Sequence, residues 1–140
     1  QALATFHECW RGEALVIDKW LAVQASSRLP ETLAVVEELL AHPSFDLHNP
    51  NKVYSLLNIF GNNHVRFHAA DGAGYRFLAR QIADIDRFNP QVAARLTRRF
   101  DRWRRFDAQR QAYARSALSE LQAGSDLSPD VREVVGRALA

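Results

Sequence analysis

A chain of 140 residues, 47% of them hydrophobic, can bury the core of one domain without staples such as disulfides, so we expect it to fold. The single cysteine, Cys9, excludes an intramolecular disulfide and a cysteine metal cluster, and it fits a reducing, cytoplasmic setting. The net charge of only +2 argues against a generally basic protein, and no apolar run has the roughly 20 residues of a transmembrane helix.

The predicted elements are all helices. Apolar residues recur at three- and four-residue steps, and no comparable stretch alternates with period two. Asn49-Pro50, Asn89-Pro90 and Ser128-Pro129 each place a good N-cap before a proline in the first helical turn. These signals predict about eight helices, over 2–11, 13–26, 30–41, 50–61, 71–87, 90–105, 108–122 and 129–139, with a short turn possible over 64–69.

Four apolar stripes indicate the faces that these helices bury. Each stripe keeps to one side of a helix with 3.6 residues per turn. Their members are Leu33, Val36, Leu39 and Leu40; Val53, Leu56, Leu57 and Phe60; Tyr75, Leu78, Ile82 and Ile85; and Val92, Leu96, Phe100 and Trp103.

The brief connections predict that consecutive helices are antiparallel neighbours. Paired in order, the stretches 13–41, 50–87 and 90–122 are hairpins of similar size, which is typical of HEAT-like repeats. We therefore predict one all-α domain over 1–140, with helical hairpins stacked as an α-solenoid. A globular helical bundle is the alternative. Since the chain contains no methionine, we also expect it to be a piece of a longer protein.

Histidines offer two weak candidates for a metal site. The string His7-Glu8-Cys9-Trp10-Arg11 begins like H-E-x-x-H, but a cation stands where the second histidine ligand is needed, so it predicts no zinc site. His64 and His68 stand four residues apart between glycines. We interpret them as polar side chains on a connector, and a structural zinc there is the alternative.

The sequence contains no arrangement that predicts a nucleophile or a phosphate-binding loop. G-x-S-x-G and G-x-x-x-x-G-K-[ST] are both missing. The glycine-rich segment Asp71-Gly72-Ala73-Gly74-Tyr75 has neither a preceding strand nor a lysine. We interpret it as an Asp N-cap followed by small residues where two helices pack closely.

Arginine is concentrated on one helix. Of the 18 cations only Lys19 and Lys52 are lysines, and seven arginines fall between Arg95 and Arg110. Opposite its apolar stripe, the helix over 90–105 carries Gln91, Arg95, Arg98, Arg99 and Arg102. Three interpretations remain open: a solvated face with scattered ion pairs, a phosphate-binding surface, or a cleft wall that meets a carboxylate or polar backbone.

An ordered set of short strings over essentially the whole chain resembles a known family. The strings are Asp18-Lys19-Trp20; Ser44-Phe45; His48-Asn49-Pro50-Asn51; Phe67-His68-Ala69; Asp71-Gly72-Ala73-Gly74-Tyr75; Asn89-Pro90-Gln91-Val92-Ala93; Arg95-Leu96; Arg105-Phe106-Asp107-Ala108; Arg110-Gln111; and the terminal Ala138-Leu139-Ala140. In this order they look like the C-terminal domain of the bacterial aminopeptidase N family, one of the M1 zinc aminopeptidases.

The resemblance implies a helical superhelix that packs on a zinc-containing catalytic domain of the same polypeptide. That domain holds the zinc ligands and removes N-terminal residues from peptides. The helical domain itself is non-catalytic, holds no metal, closes the active-site cavity and controls peptide access. In the family's N-P-Q-x-x-x-R pattern, Gln and Arg face the primed side of the substrate site; here they are Gln91 and Arg95.

We expect the catalytic domain and a peptide substrate as partners, with neither nucleic acid nor a membrane, in the cytoplasm. Two other functions remain: a stand-alone α-solenoid that binds proteins on a concave surface, and a nucleic-acid-binding domain that uses the arginine helix. The resemblance gives Arg98, Arg99 and Arg102 no role, and we interpret them as surface or interdomain residues.

Overall fold

The computed structural model describes residues 14–140, and every regular element in that range is a helix. This confirms the all-α prediction for the described part, whereas the helix predicted over 2–11 and the His7 string lie outside it. The chain divides into two compact units, the first ending at Arg66 and the second spanning Phe67–Ala140.

The helices of the first unit lie close to their predicted positions. Asn49 caps the helix predicted over 50–61 through its side-chain oxygen, which accepts a hydrogen bond from the Asn51 amide at 3.0 Å. A helix that runs over 64–67 crosses the boundary between the units. The elements are α1 (Ala14–Ala25), α2 (Thr32–Leu40), α3 (Pro50–Val53), a π-helical turn (Tyr54–Asn58), α4 (Ile59–Asn62) and α5 (His64–Phe67).

One buried ion pair and one buried amide tie the first unit together. The Lys52 ammonium of α3 contacts the Asp18 carboxylate of α1 at 2.5 Å, with both side chains largely covered. The Asn63 amide donates to the carbonyls of Ala25 and Ser27, at the end of α1. The predicted stripe over 53–60 is fully covered: Val53, Leu56, Leu57 and Phe60 are each at most 1% exposed.

In the second unit two helices pack against the same two neighbours. The elements are α6 (Ala73–Asp86), α7 (Pro90–Thr97), two 3₁₀ turns (Arg98–Phe100 and Trp103–Arg105), α8 (Ala108–Gln122) and α9 (Pro129–Leu139). Both α6 and α9 pack on α7 and α8. The two predicted stripes of this unit form its core: Tyr75, Leu78, Ile82, Ile85, Val92, Leu96, Phe100 and Trp103.

The continuous helix predicted over 90–105 is wrong in its second half. The α-helix ends at Thr97, and the chain continues as two 3₁₀ turns whose amides bond three residues back, Asp101 to Arg98 and Arg105 to Arg102. Consequently α7 and α8 do not form the main contact of a hairpin over 90–122. Instead α6 and α9 lie against both of them, and the Trp103–Arg105 turn supplies the contact with α8.

The close approach predicted at the glycine-rich segment occurs at Gly72. Its φ of 74° is left-handed, and a Cβ built there would lie 2.5 Å from Cγ of Tyr113 on α8. The helix cap itself differs from the prediction, because Gly72 is the N-cap of α6. The Asp71 side chain precedes it and accepts a hydrogen bond from the Ala73 amide at 3.0 Å.

Candidate functional site

The start of α7 sets the position of Gln91 and Arg95. The Asn89 side chain accepts a hydrogen bond from the Val92 amide at 3.3 Å, and Pro90 follows in the first turn, as predicted. Because Val92 faces the core, Gln91 and Arg95 fall on the exposed side of the helix, one turn apart. The structure therefore brings the two predicted substrate-binding residues together on one surface.

The opposite wall comes from α9, which the sequence did not implicate. Three buried valines orient this helix, and its polar residues Asp130, Glu133 and Arg137 line the depression beside α7. The depression has a volume of about 400 Å³. Its lining comprises Gln91, Ala94, Arg95, Arg98, Asp130, Glu133, Val134 and Arg137. The available signal was the polar stripe at 130, 133 and 137 opposite the valines, but nothing in it specified which helix it would face.

A buried carboxylate holds α9 in this place. Asp86, at the end of α6 and 6% exposed, accepts hydrogen bonds from the Ser128 amide at 2.7 Å and from the Ser128 hydroxyl at 2.5 Å. The same hydroxyl oxygen accepts from the Val131 amide at 3.2 Å and so caps α9. The predicted Ser128 cap is confirmed, and Asp86 adds a link between the two helices.

The depression beside Gln91 carries both signs of charge. Arg137 and Glu133 form an ion pair at 3.4 Å, one helical turn apart, and both side chains are mostly exposed. Arg95 and Arg98 line the α7 side, and Asp130 lies at the start of α9. The lining contains no Ser, Cys or His side chain, so this surface offers hydrogen bonds and charge and contains no candidate nucleophile.

A second depression, of about 330 Å³, adjoins the first. Its wall includes Trp103, whose indole N–H donates to the Ala138 carbonyl at 3.0 Å. Arg104 donates to the Leu139 carbonyl at 3.0 Å, and its guanidinium lies 4.8 Å from the centroid of the Trp103 ring. These contacts tie the second 3₁₀ turn to the end of α9.

His68 lies in the turn between α5 and α6, on a connector as interpreted from the sequence, but its side chain is buried in the core. It is 3% exposed, and its ring stacks on Phe106 with centroids 4.0 Å apart. Nδ1 of His68 lies 2.6 Å from the Tyr75 hydroxyl, and Nε of Arg110 donates to the His68 carbonyl. The surrounding aromatic rings explain why His68 is buried, whereas the glycines on either side of this segment predicted only a connector. His64, by contrast, is exposed.

Two pKa values near this histidine are shifted. Burial raises the pKa of the Tyr75 phenol to about 12, although the nearby Arg110 guanidinium opposes the shift. On the surface, the hydrogen bond from the Arg110 side chain lowers the pKa of Asp107. Tyr75 belongs to the core and Asp107 caps α8, and neither lines the two depressions.

The described residues 14–140 contain no group of three His, Cys, Asp or Glu side chains placed to hold a metal ion. Within the same range, no helix is long and apolar enough to cross a membrane.

A family model matches residues 1–140 under the description "Domain of unknown function (DUF3458_C) ARM repeats". The chain belongs to this ARM-repeat family. The family description agrees with the predicted helical-repeat fold class.

Its relatives include three proteins named aminopeptidase N. The domain is 43% identical to the one from Caulobacter vibrioides and 42% identical to the one from Haemophilus influenzae, which cover 99% and 98% of the chain. It is 43% identical to the Escherichia coli protein over 96% of the chain. The ARM-repeat domain spans only 16% of each relative's length.

One solved structure is similar over nearly the whole domain. It is a crystal structure of aminopeptidase A from Legionella pneumophila in complex with aspartic acid, which matches with a TM-score of 0.92 and 37% sequence identity. The match covers 99% of this ARM-repeat domain and 16% of that chain. The resemblance to the aminopeptidase N family is therefore confirmed.

Proposed function

We propose that this ARM-repeat domain is the non-catalytic C-terminal domain of a zinc-dependent M1 aminopeptidase, which removes N-terminal residues from peptides. The identity of 42–43% to aminopeptidase N over nearly the whole chain supports the parent activity. In this proposal the domain packs on the catalytic domain of the same polypeptide, caps the active-site cavity and controls which peptides enter.

The proposal assigns zinc to the catalytic domain. The described residues offer no group of three metal-ligating side chains, which supports that division. The ARM-repeat domain contributes contacts only. The parent enzyme acts in the cytoplasm, for which the single cysteine and the consequent lack of an internal disulfide are the supporting observation.

Gln91 and Arg95 contact the substrate on the primed side, beyond the scissile bond. The supporting observation is that both side chains, one turn apart on α7, line one depression of about 400 Å³ with α9 opposite. A glutamine amide pairs with a peptide group as donor and acceptor, and a guanidinium donates to carbonyl or carboxylate oxygens. Such contacts position a peptide and leave bond cleavage to other residues.

Substitution of Arg95 in the intact enzyme tests this role. We expect Arg95→Ala to raise KM for long peptides about tenfold, because a hydrogen bond from a charged group is lost, with kcat nearly unchanged. A short aminoacyl reporter should not reach this depression, so its KM should stay the same. Steady-state kinetics on a peptide length series provide the measurement.

Arg102→Ala is the matched control, because Arg102 is an exposed arginine of the same basic segment that lines neither depression. It should leave the length dependence unchanged. An equal change in KM for the reporter and for long peptides in Arg95→Ala would contradict the primed-side role.

A further inference from the structure

The two depressions of the second unit lie side by side, and we call the pair the groove. Arg98, Val134 and Arg137 line both of them, so the 400 Å³ depression beside Gln91 borders the 330 Å³ depression beside Trp103. Arg98 belongs to the first 3₁₀ turn and Arg137 to the last turn of α9. Two guanidinium groups therefore lie where the two parts of the groove meet.

The balance of charge changes along this groove. In the part beside Gln91, the arginines Arg95, Arg98 and Arg137 share the lining with two carboxylates, Asp130 and Glu133. In the part beside Trp103, three arginines share the lining with a single carboxylate, that of Asp101. An anionic group in the groove is therefore favoured beyond the junction, away from Asp130.

Arg98 and Arg137 have weaker intramolecular contacts than Arg104. Arg104 donates to a backbone carbonyl and stacks on Trp103. The Arg98 side chain forms no hydrogen bond or ion pair with any residue in the range 14–140. Arg137 has one exposed ion pair, with Glu133 at 3.4 Å, and such pairs contribute little and exchange readily. Both guanidinium groups are therefore available to a ligand.

The chemistry of this junction fits a carboxylate. A guanidinium presents planar, paired N–H donors that match the two oxygens of a carboxylate. A peptide lying along the groove carries its backbone past Gln91 and Arg95, where amide and guanidinium groups of suitable polarity stand. A free carboxylate at the C-terminus of this peptide would then lie beside Arg98 and Arg137.

We propose that Arg98 and Arg137 bind the C-terminal carboxylate of a peptide whose backbone contacts Gln91 and Arg95. This inference rests on the proposed function, because it assigns the far end of the same site. It makes the groove selective for peptides that carry a free C-terminus and are long enough to reach the junction.

The test uses the intact parent enzyme and three peptides of equal length: a free acid, its C-terminal amide, and an amide with an aspartate as the penultimate residue. In the wild type we expect KM to be about fivefold lower for the free acid than for the plain amide, the upper range for an exposed ion pair. The double variant Arg98→Gln, Arg137→Gln should remove that difference by raising KM for the free acid. Arg102→Gln should keep it.

The dependence on salt is a second measurement, and it would not change if the arginines acted only through packing. The preference for the free acid should shrink as ionic strength rises, because exposed charges are screened. A preference that persists in the double variant overturns the proposal. So does an aspartate-containing amide that binds as well as the free acid, since the junction would then recognise a side chain. If Arg95→Ala still acts on long peptides only, the proposed function survives either failure.

Discussion

At the scale of single residues, hydrogen-bonding partners decide roles that residue type alone leaves open. His68 and His64 are four apart in sequence, yet one is 3% exposed and the other is exposed. The difference comes from the Tyr75 hydroxyl and the Phe106 ring, which satisfy and cover His68. A sequence pattern records neither partner, because Phe106 follows 38 positions later in an irregular segment.

The raised pKa of Tyr75 makes the free energy of unfolding depend on pH in the alkaline range. Its pKa rises from about 10 in the unfolded chain to about 12 when folded. The buried neutral phenol therefore contributes fully below pH 10, and that contribution is lost as pH rises toward 12. We expect the difference in the free energy of unfolding between the wild type and Tyr75→Phe to be roughly 1 kcal/mol smaller at pH 11 than at pH 9. Urea unfolding at both pH values measures it, and a difference that does not change with pH would refute the assignment.

At the scale of elements, the glycine-rich segment shows how tightly α6 and α8 approach. Replacing Gly72 with Ala combines a left-handed backbone with a clash against the Tyr113 ring. We expect Gly72→Ala to lower the free energy of unfolding by about 2–4 kcal/mol, the sum of both penalties. Thermal or urea unfolding of the chain provides the measurement.

Gly136 offers the matched control for that substitution. It lies inside α9, and a Cβ built there meets nothing within 4 Å. Gly136→Ala should raise the free energy of unfolding by up to about 1 kcal/mol, because alanine favours the helix. Equal effects of the two substitutions would show that the Tyr113 contact is unimportant.

Periodicity and caps predicted most helices and the core faces, since both depend on neighbours in sequence. Asn49, Asn89 and Ser128 cap the helices at which they were expected. The end of α7 at Thr97 was missed, because Phe100 and Trp103 keep the same apolar side in an α-helix or a 3₁₀ turn. The α9 wall of the groove was missed as well, since it depends on a hydrogen bond between residues 42 positions apart.

At the scale of the whole molecule, the distribution of charge bears on the choice between a peptide and nucleic acid as the ligand. The net charge is +2, although seven arginines fall between Arg95 and Arg110. Three of them, Arg95, Arg98 and Arg104, line the groove. It also holds Asp101, Asp130 and Glu133, and this mixture of charges suits peptides better than the uniform negative charge of nucleic acid.

The 140-residue chain alone should therefore show no aminopeptidase activity. We expect no turnover of an aminoacyl reporter when zinc is supplied, and the intact parent enzyme serves as the positive control. Measurable turnover that a chelator abolishes would contradict the non-catalytic role.

A gel-shift titration at low salt tests the nucleic-acid alternative on the same preparation. We expect no retarded complex. A complex that weakens steeply as salt rises would instead favour phosphate binding by the arginine segment.

Asp86 reduces the conformational entropy that α9 would lose when a ligand binds beside it. Because its buried carboxylate fixes Ser128 through two hydrogen bonds, the first turn of α9 is joined to the end of α6 before any ligand arrives. The wall that carries Glu133 and Arg137 is thus preorganised opposite α7. If a peptide binds in the groove as proposed, it would lose its own conformational entropy, whereas the start of α9 is already fixed.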